Sequence, residues 1–182
     1  MGRGTMKAWQ RLTEMRELIA VRRWPLVPLR LMVGFGFAAH GYAKLARGPA
    51  AFAGILSALG IPAPVPMAWL TSLLELLGGI SIMLGAAVAP LCLPLIVVMA
   101  TALFGVHLRY GFSSIRLKSL SAEGAVFGPV GYELNLLYIA ALVMLALAGD
   151  SPLSIDRWIA GRKRGRAARR LASAQRTQIA GD

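Results

Sequence analysis

Long runs of apolar residues alternate with short polar segments along this chain. Four of the runs, at about residues 26–45, 67–88, 91–108 and 132–148, approach or reach the roughly 20 apolar residues that a bilayer-crossing helix needs. The pattern therefore predicts an all-α polytopic membrane protein. Short links between the runs make neighbouring spans antiparallel, so we expect a four-transmembrane-helix antiparallel bundle.

A shorter apolar stripe lies between the first two runs. Phe52, Ile55 and Leu59 recur at helical spacing, but residues 49–59 are too few to span a bilayer. The Gly- and Pro-rich residues 60–66 then interrupt regular structure. We expect a short interfacial helix in the first outer loop.

Composition supports the membrane class. The chain has 182 residues, of which 57% are hydrophobic and only 15% charged, and its mean hydropathy is +0.62; a soluble domain is nearer 45–50% apolar. Most charged residues lie near the two ends. The predicted organisation is a basic amphipathic segment at residues 1–24, a membrane domain at 25–150 and a basic tail at 151–182.

The formal net charge is +12, which raises the question of nucleic acid. No nucleic-acid recognition motif accompanies the charge, and its position flanking the spans is typical of the cytoplasmic side of membrane proteins. We therefore predict a multi-pass protein of the cell membrane with both termini cytoplasmic and no nucleic-acid partner. The basic tails are expected to attract anionic lipids.

Ionisable residues inside the spans are the candidate site. His40 and Lys44 lie one helical turn apart near the end of the first span, Glu75 lies early in the second, His107 ends the third and Glu133 begins the fourth. In an antiparallel bundle these positions all fall in the outer leaflet. Charged groups at membrane depth generally face a partner or a polar cavity. We expect a polar cluster with proton-exchanging or charge-stabilising roles, in which His107 is the weakest member.

Other polar residues in the spans have simpler interpretations. Arg30 lies near the inner end of the first span, where its guanidinium is expected to reach the interface. The single cysteine, Cys92, is expected to be an apolar packing residue. The ionisable residues show no dense ligand spacing, so no metal site is predicted. An ion pair that only specifies helix packing remains an alternative role for Glu75.

Several short motifs resemble one family of small membrane proteins, the DoxX family. They are HGYAKL at residues 40–45, LGIPAP at 59–64, LELLGG at 74–79, YELNLL at 132–137 and SPLSIDRWI at 151–159. The resemblance implies an integral membrane protein with a four-helix core. Relatives include a subunit of a thiosulfate:quinone oxidoreductase, and the positions that match are His40, Lys44, Glu75 and Glu133.

The resemblance and the polar cluster lead to a first functional hypothesis, a quinone-linked membrane redox component. Here His40, Lys44 and Glu75 would bind the quinone: His40 or Glu75 exchanges a proton, and Lys44 stabilises negative charge on the quinone oxygen. Glu133 and His107 would carry the proton to the outer surface. A soluble or membrane redox protein would be the partner.

Two other hypotheses stay open. In one, the protein is a non-enzymatic scaffold or assembly partner of a redox or stress-response complex. In the other, it is a small ion-coupled transporter, although the sequence lacks an evident inverted repeat. The sequence does not decide among the three hypotheses, so it leaves open whether the protein is an enzyme.

Overall fold

The computed structural model describes residues 23–122, 124–149 and 151–166, and most of this part of the chain is helical. Most of the predicted N-terminal amphipathic segment, and the tail after residue 166, lie outside the described residues. The helices in chain order are α1 (Leu26–Ala46), α2 (Pro49–Ala58), α3 (Pro64–Leu84), α4 (Val88–Ala102), α5 (Glu133–Ala148) and α6 (155–166).

Helices α1 and α3 are antiparallel and lie in backbone contact. Gly34 faces the Gly79 carbonyl so closely that a Cβ added to Gly34 would lie 2.6 Å from that oxygen. Further along, Gly41 lies against the backbone of Ser72 and Leu76. Glycines at these positions allow the two helix backbones to approach closely.

Helices α4 and α5 form the second antiparallel pair. The Asn135 side chain donates a hydrogen bond to the Met99 carbonyl across this interface, at 3.3 Å. Helix α1 closes the bundle against α5 through an edge-to-face contact of Phe37 with Tyr138. The core cluster consists of Val33, Phe37, Ile82, Cys92, Leu95, Leu142 and Leu145. Cys92 is therefore a packing residue, as predicted.

The turn between α3 and α4 corrects two predicted boundaries. Helix α3 ends at Leu84 because Gly85 adopts a left-handed conformation (φ 69°), a common helix stop. Helix α4 begins at Val88, so Pro90 occupies its first turn. The predicted link at residues 89–90 was wrong, and Pro94 lies inside the helix.

The predicted short helix is confirmed as α2, which packs through Ala53 and Leu56 on Ala68 of α3. The Pro-rich segment after it is shorter than predicted, since α3 begins at Pro64 and not near residue 67. Pro64 and Pro66 fit the first turn of a helix because the N–H groups that they lack have no intrahelical acceptor there.

The segment between α4 and α5 departs from the all-α prediction. Helix α4 continues as a π-helical turn, Leu103–His107, and a 3₁₀ turn, Leu108–Tyr110. A two-stranded antiparallel hairpin follows, with β1 at Leu117–Ser121 and β2 at Gly124–Phe127. Every described strand residue is exposed, so no buried face imposed the alternating pattern that identifies strands in a sequence.

The surface of the bundle is apolar. By length and composition, two helical stretches of the described chain can cross a membrane, Pro64–Leu84 and Val88–Tyr110. Large apolar side chains also point outward from all four long helices; examples are Met32, Phe35, Leu70, Leu77, Leu93, Phe104, Leu137 and Leu147. Polar side chains such as Ser72, Glu75 and Asn135 are buried instead. A soluble domain rarely exposes apolar surface on this scale.

Candidate functional site

The bundle has two ends with different chemistry, and we name each after its buried or partly buried cation. At the Lys44 end, α1 and α4 finish while α3 and α5 begin. The Arg30 end contains the beginning of α1, the turn from α3 to α4, and the segment that leads from α5 to α6. The predicted site residues all fall at the Lys44 end.

Lys44 and Glu75 form an ion pair between α1 and α3, with 2.5 Å between Nζ and Oε2. The Glu75 side chain is 5% exposed and that of Lys44 is 24% exposed. Gly41, nearly one turn before Lys44, lets the two backbones approach closely enough for this contact. Buried charged groups are generally paired, and this ion pair meets that requirement.

The short helix α2 covers one side of this ion pair. Gly48 adopts a left-handed φ of 87° and turns the chain from α1 into α2. This turn places the Phe52 ring over the ammonium group, with Lys44 Nζ 4.5 Å from the ring centroid. An ammonium at this distance is attracted to the ring face. The ion pair and Phe52 together present an ammonium, a carboxylate and an aromatic ring in one place.

His40 lies outside this arrangement. It is exposed on α1, one turn before Lys44, and its ring has no hydrogen-bonding partner within the described residues. The structure therefore does not join His40 to Glu75. The imidazole is instead exposed on the outer surface of the bundle, one turn of α1 before Lys44.

Glu133 and His107 contact the loop between α4 and α5 and not the ion pair. Glu133 Oε2 accepts a hydrogen bond from the Ser114 N–H at 3.0 Å. His107 Nδ1 lies 2.9 Å from the Val130 carbonyl, which only accepts, so Nδ1 is the donor in that bond. The expected single cluster is thus divided into an ion pair, an exposed imidazole and two groups that hold the loop.

The sequence interpretation missed the site at the Arg30 end. Arg30 is only 3% exposed, so its guanidinium is enclosed by protein and does not extend freely from the helix. Its Nη1 donates to Ser151 Oγ at 2.7 Å, and its Nη2 donates to the Leu153 carbonyl at 3.0 Å. These acceptors follow α5, so Arg30 ties the beginning of the bundle to its last segment.

The residues around Ser154 extend this connection to α4 and α6. The Asp156 N–H donates to the Gly85 carbonyl at 3.1 Å, and Asp156 Oδ2 accepts from the Val88 N–H at 3.4 Å. Ser154 Oγ accepts from the Arg157 N–H at 3.2 Å, so Ser154 is the N-cap of α6. The SPLSID motif was visible in the sequence, but nothing local to it indicated a contact with Arg30.

Comparison with known proteins identifies the family of the first three long helices. Residues 26–108 match the model of the DoxX family. These residues form a DoxX domain. The resemblance stated from the sequence is confirmed, and the DoxX domain together with the two membrane-length helices makes this a membrane protein.

The chain is also similar to an uncharacterised protein of Haemophilus influenzae. The two are 28% identical over 144 residues, which is 78% of this chain and 96% of that protein. No solved structure gives a significant match. The similarity to this relative extends beyond the range of the family model.

The DoxX domain contains Lys44, Glu75 and Arg30, but the acceptors of Arg30 lie outside the matched range. A cavity of about 90 Å³ lies beside Arg30 and is lined by Ser151, Ser154 and Asp156 together with apolar residues such as Leu145. Sites for drug-sized ligands typically measure about 300–1,000 Å³, so this cavity is too small for a cofactor of that size.

A metal centre finds no support in the described geometry of the DoxX domain or its neighbours. Within the described ranges, no three His, Cys, Asp or Glu side chains lie close enough to share an ion. The chemistry that the Lys44 end offers is proton exchange at a carboxylate and hydrogen-bond donation from an ammonium.

Proposed function

We propose that this DoxX-domain protein is the membrane-embedded component of a quinone-linked oxidoreductase, with the Lys44 end as its quinone site. The observation that carries the proposal is the Lys44–Glu75 ion pair, which is covered by Phe52 and lies one turn from the exposed His40. The choice of a quinone as the ligand comes from the resemblance to the DoxX family.

The proposal includes four transmembrane helices: α1, α3, α4 with its π-helical and 3₁₀ extension, and α5. Helix α1 has 21 residues and α5 has 16, and both expose large apolar side chains. The Arg30 end faces the cytoplasm in this arrangement. Helix α6, at that end, carries five of the basic residues that mark a cytoplasmic side, namely Arg157, Arg162, Lys163, Arg164 and Arg166.

The residues of the Lys44 end fit a quinone carbonyl. When bound, a quinone supplies two-electron chemistry that is coupled to the uptake or release of two protons. The Lys44 ammonium donates a hydrogen bond to the ring oxygen and stabilises negative charge there. The Glu75 carboxylate holds or releases a proton beside it, and the Phe52 ring offers a face for stacking.

Access and proton exit complete the proposal. Quinones diffuse within the bilayer, and His40 lies on the surface of α1 that the bilayer would contact, so it is available as a second proton-exchanging group. Glu133 and His107 pass protons to the aqueous surface from the same end of the bundle. A redox partner protein supplies the electrons.

Quinone binding to the purified full-length chain in nanodiscs tests the proposal. Titration with a short-chain ubiquinone or menaquinone analogue should give saturable binding. Glu75→Gln and Lys44→Met should each weaken it at least about tenfold, because each removes one charge-assisted contact. Lys118→Met, which removes an exposed cation from the same end, is the matched control and should leave the affinity unchanged. Absence of saturable binding, or equal affinity in all four proteins, would overturn the proposal.

A scaffold role is the second candidate, and one observation favours it. Glu75 is already paired with Lys44 at 2.5 Å, so the pair is complete without any ligand. In this alternative the ion pair only fixes α1 on α3, and activity belongs to a co-purifying protein. Glu75→Gln would then lower the melting temperature, no quinone would bind, and the partner would still co-purify.

A further inference from the structure

We infer that α6 is a membrane-surface helix that binds anionic phospholipid head groups, and that Arg30 is the residue that positions it. The inference rests on the membrane arrangement proposed above. It does not depend on whether the Lys44 end binds quinone.

The beginning of α6 is fixed to the bundle. Arg30 donates hydrogen bonds to Ser151 and Leu153, just before the helix starts. Asp156, in the first turn of α6, is hydrogen-bonded to Gly85 and Val88 at the turn between α3 and α4. These contacts hold the first turn of α6 at the level where α3 and α4 meet, which is the edge of the bilayer in the proposed arrangement.

Helix α6 exposes an apolar face at the level of its first turns. Ile155, Trp158 and Ile159 follow the i, i+3, i+4 spacing of one helix face, and all three are exposed. Trp is favoured at membrane–water interfaces, where its ring is partly in the apolar region and its N–H is near water. This face is therefore suited to shallow insertion among lipids.

The same helix carries a high density of positive charge. Five basic residues accompany one acidic residue, Asp156, whose carboxylate is directed to the α4 N-terminus. The Arg162 guanidinium lies 3.7 Å from the centroid of the Trp158 ring. This stacking keeps a cation at the depth of the indole, where lipid phosphates lie. Clustered basic residues near the bilayer surface attract anionic lipid.

The chemistry favours anionic lipid over an acidic protein or nucleic acid. A helix fixed at the bilayer edge meets lipid head groups without any further association step. Its pattern of Trp, Ile and clustered cations is also that of an interfacial amphipathic helix. Binding to another acidic polymer would leave Ile155 and Ile159 exposed to water.

The experiment uses the fluorescence of Trp158 in the full-length protein. Trp9, Trp24 and Trp69 are replaced by Phe, and the protein is placed in nanodiscs of either phosphatidylcholine or 70:30 phosphatidylcholine:phosphatidylglycerol. The anionic lipid should shift the emission to shorter wavelength and at least halve acrylamide quenching. High salt should reverse much of the change, because it screens exposed charges.

Two sets of variants separate charge from position. Replacing Arg162, Lys163, Arg164 and Arg166 by Gln should abolish the response to anionic lipid. The matched control replaces Arg109, Arg116 and Lys118 by Gln and should retain it. Arg30→Gln should weaken the response although every cation of α6 is present, and Ser151→Ala, a milder change, should weaken it in the same direction.

Three results would overturn the inference. They are a Trp158 that stays water-exposed in both lipids, a response that persists without the four cations, and a response insensitive to both Arg30→Gln and Ser151→Ala. Cysteine labelling distinguishes this failure from failure of the proposed topology. In a Cys92→Ala background, Lys118→Cys and Lys163→Cys should be labelled from opposite sides of the membrane, whatever the lipid response.

Discussion

The two ends of the bundle handle a cation in opposite ways. At the Lys44 end, the lysine side chain is 24% exposed and its ammonium is paired with a carboxylate on the adjacent helix. At the Arg30 end, the guanidinium is almost fully buried, and its hydrogen-bond acceptors are a hydroxyl and a backbone carbonyl. Lys44, the more exposed of the two cations, is hydrogen-bonded to a carboxylate, whereas the buried Arg30 is hydrogen-bonded only to neutral groups.

This difference shows what each end is suited to do. An ion pair that is open on one side can exchange a partner or a proton with little rearrangement. A buried guanidinium with fixed neutral acceptors cannot, since every bond that it loses leaves a polar group without a partner. We therefore assign reactivity to the Lys44 end and structural coupling to the Arg30 end.

The largest expected effect comes from Arg30→Leu. It leaves the buried Ser151 hydroxyl and the partly buried Leu153 carbonyl without their donor, so the free energy of unfolding should fall by about 3 kcal/mol. The measurement is reversible unfolding in mixed micelles. Arg116→Leu is the control, because Arg116 donates to the Tyr110 carbonyl at an exposed position, and it should cost less than about 0.5 kcal/mol. Equal losses would remove the distinction between the ends.

The next effect tests the helix contact between the two ends. In Gly79→Ala the new Cβ would lie 2.5 Å from Ala38 N and from Gly34 O, both backbone atoms of α1. The helices must separate, so stability should fall by about 2 kcal/mol. Gly54→Ala in α2 is the control: its Cβ meets nothing within 4 Å, and the helix should gain up to about 1 kcal/mol from the added propensity. Thermal unfolding of both variants in one detergent decides the matter.

A smaller effect is expected for Glu75→Gln. Lys44 loses its charge partner but is exposed enough to turn towards water, so the cost should be about 1 kcal/mol. Adding Lys44→Met should recover part of that loss, because no unpaired ammonium remains. A cost near that of Arg30→Leu, without recovery in the double variant, would show that this end is as rigid as the other.

The smallest expected effect is that of Phe52→Leu. It removes the ring over the Lys44 ammonium, and the loss of this cation–π contact should cost about 0.5–1 kcal/mol. The same substitution in a Lys44→Met background should cost less, since no cation remains to interact with the ring. A double-mutant cycle on melting temperature measures the difference. An undiminished cost in the Lys44→Met background would assign Phe52 to packing alone.

The sequence predicted much of the Lys44 end and little of the Arg30 end, for a physical reason. Hydrophobic runs of bilayer length identified α1, α3, α4 and α5, and antiparallel order then placed Lys44 and Glu75 at the same end. The predicted cluster contained both members of the ion pair, but the sequence did not distinguish Lys44 from His40 as the partner of Glu75. The acceptors of Arg30 are a serine and a carbonyl, which carry no comparable signal.

The hairpin and the helix ends show a second limit. Strands β1 and β2 bury no face, so no periodic pattern marked them. Pro64 and Pro66 were interpreted as helix breakers, although a proline in the first turn is compatible with a helix. Residue type alone did not distinguish these two uses of proline.

The hydrogen bond between Arg30 and Ser151 joins residues 121 positions apart, which has a consequence for biosynthesis. Chains emerge from the ribosome with their N-terminus first, so in the proposed arrangement α1 would enter the membrane long before the acceptors of Arg30 are translated. Until then the nascent chain would carry a guanidinium without its acceptors in its first hydrophobic segment, a costly placement in lipid. Maturation is complete only when the C-terminal residues arrive, and a chain that stops before Ser151 would be a substrate for membrane quality control.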